Sequence, residues 1–150
     1  MTTRVERWFQ APPEVVYGVL TDPTLGATWR VPDGMSVDVH EFDPRPGGSV
    51  RVSLTYEGAG VGKTGGRTDT YHGRFVELVP GRRLVEQDEF ETDDPGLRGV
   101  MTMTIELTPE NGGTQLVAVH EGVPDTVPEV DNEAGWRSAL ERLADLIERR

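Results

Sequence analysis

Apolar and polar residues alternate along most of the chain, and past residue 125 the rhythm changes to a helical one. Trp136, Leu140, Leu143, Ala144 and Ile147 fall at i, i+4, i+7, i+8 and i+11. That spacing predicts one apolar stripe on a helix running to the C-terminus, with Glu141, Arg142, Asp145, Glu148 and Arg149 facing water. Thr126, with Glu129 three residues on, predicts a capping box at its start, and Pro128 suits its first turn. Such a helix needs an apolar surface to lie on, and the alternating segments upstream supply the sheet.

The first strand is expected over residues 4–10, with Val5, Arg7 and Phe9 on one face. Ala11, Pro12 and Pro13 end it, and a proline in the first turn predicts a short helix over 13–20 that turns Val16, Val19 and Leu20 inward. A second short helix is expected over 23–29. Pro32-Asp33-Gly34 then leads into strands over 35–41 and 48–57, followed by 68–79, 84–90, 100–107 and 114–121. Pro80-Gly81, Asp94-Pro95-Gly96 and Asn111-Gly112-Gly113 are turn and hairpin sequences, so successive strands should pair antiparallel. The prediction is an α+β fold in one domain over 1–150, a curved antiparallel sheet of about seven strands around the long C-terminal helix, with two short helices after the first strand. A curved sheet cannot close on a straight helix along its whole length. The gap left between them is a natural small-molecule cavity.

Charge removes several classes of partner. A net charge of −11 and a pI near 4.6 argue against binding a nucleic-acid backbone or an anionic membrane, both of which attract Lys and Arg. There is no cysteine, hence neither a disulfide framework nor thiolate chemistry. The opening segment MTTRVERWFQAPPE has no apolar signal core and no transit-peptide pattern, which predicts a cytoplasmic protein. No cofactor is expected.

The glycine-rich stretch Gly58 to Gly66 contains Gly62-Lys63-Thr64, but a phosphate-binding loop needs a glycine where Glu57 stands, and both flanks read as strands rather than strand and helix. A hairpin flap over the cavity mouth is the better reading. His40, His72 and His120 are too scattered for a metal site, and His120 and Glu121, adjacent on a strand, point to opposite faces.

Four segments taken together resemble a known family: WFQAPPEVVYGVLTDP followed by Trp29, then YHGRFVELVPGRRLV, then GGTQLVAVHEGVPD, and last GWRSALERLADLIE. In that order they are similar to the activator of heat shock protein 90 ATPase homologue group, within the wider SRPBCC or START-like superfamily. The resemblance spans essentially the whole chain. It implies a helix-grip (START-like, Bet v-like) fold with a hydrophobic cavity between the sheet and the last helix. Members of the superfamily include lipid and hormone carriers, polyketide aromatases and cyclases, and co-chaperone domains, so the fold leaves the activity open.

Strand parity names the candidate cavity wall. Val52, Leu54 and Tyr56 share a face with Val50, Met101 and Met103 share one with Ile105 and Leu107, and Tyr71 and Phe75 share one with Gly73, which relieves crowding where the sheet bends. His120 follows Leu116 and Ala118 inward. Trp29, and Gly135 beside Trp136 on the last helix, complete the set; a mid-helix glycine costs about 1 kcal/mol and marks either a close backbone approach, an opening beside the indole, or a tolerated exposed site. The segment LVEQDEFE places Glu86 and Asp88 with Leu84 and Phe90. Either it is a strand end wetted on both sides, the favoured reading, or a carboxylate enters the cavity and meets Arg, Tyr or His. The function expected first is non-catalytic binding of a small hydrophobic molecule, with a chaperone or client protein as a further partner in a stress-related role. The alternative is a cyclase or aromatase using Tyr56, Tyr71, His120 and one carboxylate.

Overall fold

The computed structural model describes residues 1–57 and 68–148. In chain order the elements are β1 (Thr3–Phe9), α1 (Pro13–Leu20), β2 (Met35–Phe42), β3 (Ser49–Tyr56), β4 (Thr68–Val79), β5 (Arg83–Phe90), β6 (Met101–Glu110), β7 (Gly113–Glu121) and α2 (Glu129–Glu148), with a 3₁₀ turn at Pro95–Leu97 before β6. The proposed flap at Gly58 to Gly66 and the side chain of Arg149 lie outside the described residues.

The strands form one antiparallel sheet in the order β1-β7-β6-β5-β4-β3-β2. From β2 to β7 it is a meander, as the turn sequences require. Asn111 and Gly112, both at positive φ (49° and 75°), close the β6–β7 hairpin, a geometry that matches the twist of the paired strands. β1 joins beyond β7, so residues 10–34 must carry the chain from one edge of the sheet to the other. Register irregularities between Val39 and Glu41 and between Phe75 and Glu77 add bends on the β2–β5 side.

The expected faces are the buried ones. Val5, Phe9, Val50, Val52, Phe75, Leu84, Ile105, Leu107, Leu116 and Ala118 form the concave side of the core, and Ala139, Leu140, Leu143, Ala144 and Ile147 cover it from α2. Each Val, Leu, Ile and Phe among them contributes about 1.5–3 kcal/mol on burial, and the alanines less. Trp136 departs from the stripe: it is half-buried. Arg142, expected in water, instead donates to the Val31 carbonyl at 2.8 Å and to Asp33 at 2.9 Å, tying α2 to the crossing segment.

Residues 23–29 do not form the expected second helix but a run of turns. The Asp22 carboxylate accepts from the Thr24 and Leu25 amides, and the Gly26 amide makes one helical bond to Asp22. The Gly26 carbonyl, which would accept from Arg30 in a helix, is taken by the Trp29 indole at 2.8 Å, and the Arg30 amide turns to Ala27. Only α1 and α2 are α-helices among the described residues. The capping box is also absent. The Thr126 hydroxyl donates to the Gly96 carbonyl at 2.9 Å, and the amides of Asp131 and Asn132 are satisfied by the Pro128 carbonyl.

Gly73 is needed for a reason sharper than general crowding. A Cβ there would sit 2.0 Å from the Gln87 carbonyl oxygen and 2.1 Å from Asp88 Oδ1, because the Asp88 carboxyl folds over the bare glycine of the adjacent strand. Gly73→Ala should therefore cost about 1–3 kcal/mol, the usual price of overpacking, as measured by urea unfolding. An unchanged midpoint would show that both the Asp88 carboxyl and the β5 backbone at Gln87 give way freely.

Candidate functional site

A cavity of about 800 Å³ lies between the concave face of the sheet and α2. It exists because the apolar interior is split: beside the main core, Leu97, Met101, Val123 and Val127 form a second cluster with Met1 and Phe90, and the cavity wall draws on both. Trp29, Leu54, Tyr56, Tyr71, Met101, Met103, His120, Gly135 and Trp136 line it, whereas Val52 and Phe75 lie in the packed core behind it. Sequence parity assigns the inward face correctly but says nothing of depth, so residues under the wall and residues on it look alike. A methyl group at Gly135 would meet Pro32 at 3.6 and 3.9 Å, ordinary contacts, so close backbone approach is not why glycine stands there.

Glu86 and Asp88 correct the expectation of a wetted strand end. β5 is an interior strand, paired on both sides, and both carboxyls face the concave side. Glu86 is completely buried and meets the guanidinium of Arg30 in a two-pronged ion pair, 2.6 Å from Nη1 to Oε2 and 2.7 Å from Nη2 to Oε1. Arg30 arrives from the turns of the crossing segment, its side chain 8% exposed. Its guanidinium also lies 5.6 Å from the ring centres of both Trp29 and Phe42. Burial alone would push the Glu86 carboxyl up, but the charge and hydrogen bonds of Arg30 outweigh it and hold Glu86 below the ordinary carboxylate range. Asp88 shares neither hydrogen bond. Burial, then the negative charge of Glu86 two residues before it and the hydrogen bond between the two carboxyls, push the Asp88 carboxyl well above the ordinary range. Its Oδ1 and the Nε of Arg30 are buried without a hydrogen-bond partner. Burial likewise raises the phenol of Tyr71, against the pull of Arg30.

His120 stands across the sheet from this pair, in the row Phe75, Glu86, Met103, His120 that crosses β4 to β7. The indole Nε1 of Trp136 donates to His120 Nδ1 at 3.1 Å, and the Asn132 amide lies 3.4 Å from the same nitrogen. An indole N–H can only donate, so Nδ1 carries a lone pair and the proton of the neutral ring sits on Nε2. Burial lowers the His120 pKa to about 4, only partly opposed by Glu86. The other histidines are elsewhere: His40 bonds Ser53, and His72 contacts Glu89 and Glu91 on the outer face. Among the described residues no group of three or more His, Asp or Glu side chains is placed to hold a metal ion. None of the described helices is long and apolar enough to cross a membrane.

The model of the family described as Activator of Hsp90 ATPase homolog 1-like protein matches residues 10–148. The chain belongs to this family. Among solved structures, a protein from Chromobacterium violaceum is 39% identical, with 98% of this chain and 96% of that one covered at a TM-score of 0.86. A Rhodobacter sphaeroides protein is 27% identical, with 98% and 93% covered at 0.78. A Silicibacter pomeroyi protein described as AHSA1 is 20% identical, with 99% and 98% covered at 0.78, a likeness of fold alone. No curated protein matches the chain. The seven-stranded antiparallel sheet with its long C-terminal helix is thus the helix-grip architecture of the Activator of Hsp90 ATPase homolog 1-like family and of the START-like superfamily around it.

No sequence pattern points to Arg30, whose neighbours have no periodicity and whose partner is 56 residues away. Arg30→Met should destabilise this family member by about 3–5 kcal/mol by stranding Glu86, while Arg30→Met with Glu86→Leu should recover most of the loss, as seen in denaturant unfolding of the single and double variants. Equal losses in both would mean that the two charges are not each other's support.

The depressed His120 pKa has a definite sign. Between about 6.5 and about 4 the unfolded chain takes up a proton that the folded one refuses, so this contribution is present near neutral pH and is lost as pH falls through that window. In His120→Gln, whose side-chain oxygen can still accept from Trp136, the difference in stability from the parent should narrow as pH drops from 6.5 to 4. A difference independent of pH over that range would show that His120 titrates normally.

Proposed function

We propose that the protein binds a small hydrophobic molecule in the cavity between the sheet and α2, without chemical transformation. The observation that carries this reading is the cavity itself: about 800 Å³, walled mainly by Trp29, Leu54, Met101, Met103, Phe90 and Trp136, with a few polar groups on its floor. A volume in this range and a largely apolar wall with few oriented polar groups are what ligand pockets need. Two tryptophans with ring centres 6.1 Å apart and adaptable methionines suit a flat or irregular apolar body.

The cyclase alternative needs a base that reaches substrate, and the floor supports that less well. Glu86 is engaged by Arg30, the Asp88 carboxyl is held above the ordinary range and hydrogen-bonded to Glu86, and the lone pair of His120 already accepts from Trp136. Asp69, also on the wall, is not free. The family name refers to chaperone ATPase activation, which keeps a chaperone or client protein in view as a second partner, but the cavity favours the small-molecule reading.

The folded protein should bind an environment-sensitive apolar dye saturably, and Leu54→Trp and Met103→Trp should each weaken that binding at least about tenfold by filling the space. Native mass spectrometry should in addition reveal a co-purified small molecule. Dye binding unaffected by either tryptophan places the ligand elsewhere, and no dye binding at all favours an interior that does not admit ligand.

A further inference from the structure

The floor of the cavity has a chemical sign that the apolar wall does not. Arg30 is the only Lys or Arg side chain among the described residues of the wall, and its charge is met by the two-pronged pair with Glu86. On α2, Arg142 is held by the Val31 carbonyl and by Asp33, and Arg137 by Glu133. The N-terminal ammonium donates to the Val123 carbonyl at 2.7 Å and lies 3.4 Å from Asp125. Asp33 and Asp131 reach the wall from exposed positions, and Asp69 from a buried one. An ionised carboxylate or phosphate entering this space would lose its hydration, find no uncommitted cation among the described residues and face acidic side chains.

One polar group is poised for an uncharged ligand. His120 lies on the wall, and the Trp136 hydrogen bond to Nδ1 puts its proton on Nε2, which has no protein partner among the described residues. The Nε–H of Arg30 also lacks a partner, but it is buried away from the cavity space and is not offered to a ligand. A ligand that supplies an acceptor without a charge satisfies the His120 donor and loses little on leaving water.

We infer that the cavity selects neutral apolar molecules carrying a carbonyl-type acceptor, bound through the Nε2–H of His120, and discriminates against their carboxylate counterparts. This assignment rests on the small-molecule reading above and adds the class of ligand. His120 is a specificity-determining binding residue in it, and the Trp136 indole, which fixes the tautomer, is a positioning group.

Three probes of nearly the same shape test it: acetylnaphthalene, ethylnaphthalene and naphthoate, titrated at neutral pH against the full chain by displacement of the apolar dye. The ketone should bind roughly three- to tenfold tighter than the hydrocarbon, the gain of one hydrogen bond to a buried donor. Naphthoate should be weaker than the ketone by about tenfold or more, reflecting the desolvation of its charge. His120→Phe should remove the preference for ketone over hydrocarbon while leaving the hydrocarbon bound, with circular dichroism confirming the fold. Naphthoate binding as tightly as the ketone, or a ketone no better than the hydrocarbon in the parent protein, overturns the inference even if the variant does not fold, and leaves the cavity reading standing. Displacement of the dye by none of the three probes also overturns the inference, while the cavity reading stands or falls with dye binding in the tryptophan variants.

Discussion

The constraint on which the rest of the structure depends is the charge that β5 places inside the sheet. Glu86 has no access to water, and an isolated ionised carboxylate there would be too costly to keep. Arg30 resolves it with two short hydrogen bonds from the far end of the crossing segment. That demand fixes more than the pair. It draws the turns after α1 over the concave face, seats Trp29 in the core beside the guanidinium, and holds the segment that Arg142 then ties to α2. A buried ion pair is a weak source of net stability, because its attraction is largely offset by desolvation, but one partner without the other is severely destabilising. Its value here is positional: it fixes where residue 30 of the crossing segment sits against β5.

The cavity follows from the same geometry. α2 lays Leu140, Leu143, Ala144 and Ile147 tightly on the sheet over its C-terminal half, while nearer its start it presents Gly135, half-buried Trp136 and the side chain of Asn132. The sheet curves away there, and the second cluster of Leu97, Met101, Val123 and Val127 closes the opposite side. Tight packing at one end and a wide separation at the other are two consequences of a straight helix crossing a bent sheet. The polar floor sits where the two clusters part.

Much of this was legible in the chain. Period-two alternation placed Val50, Val52, Met101, Met103 and Ile105 on the inward face, and the helical stripe placed Leu140 and Leu143, because both signals are local and each side chain is assigned by its neighbours along the sequence. The failures share a cause. Whether 23–29 forms a helix depends on the Trp29 indole taking the Gly26 carbonyl, the capping role of Thr126 is lost to Gly96 thirty residues away, and the environment of Glu86 is decided by an arginine that no pattern connects to it. The wetted-strand reading of 84–90 treated carboxylates on both faces as a sign of an edge. Sheet order, a property of the whole chain, made β5 interior.

Family membership fixes the scaffold, and a protein 39% identical over nearly its whole length shares it closely, but the scaffold does not decide what enters the cavity. That decision falls to protonation and pairing on the floor. The same arginine without Glu86 would be a receptor for anions, and the same histidine without the Trp136 hydrogen bond would be free to act as a base. Here the Arg30 cation is met by a carboxylate, the His120 lone pair by an indole, and the Asp88 carboxyl is held high by burial beside Glu86. What stays open toward the cavity is a donor. A floor of this kind is the ground for proposing binding over catalysis: the groups best placed to act as base or anion receptor are already engaged by their neighbours.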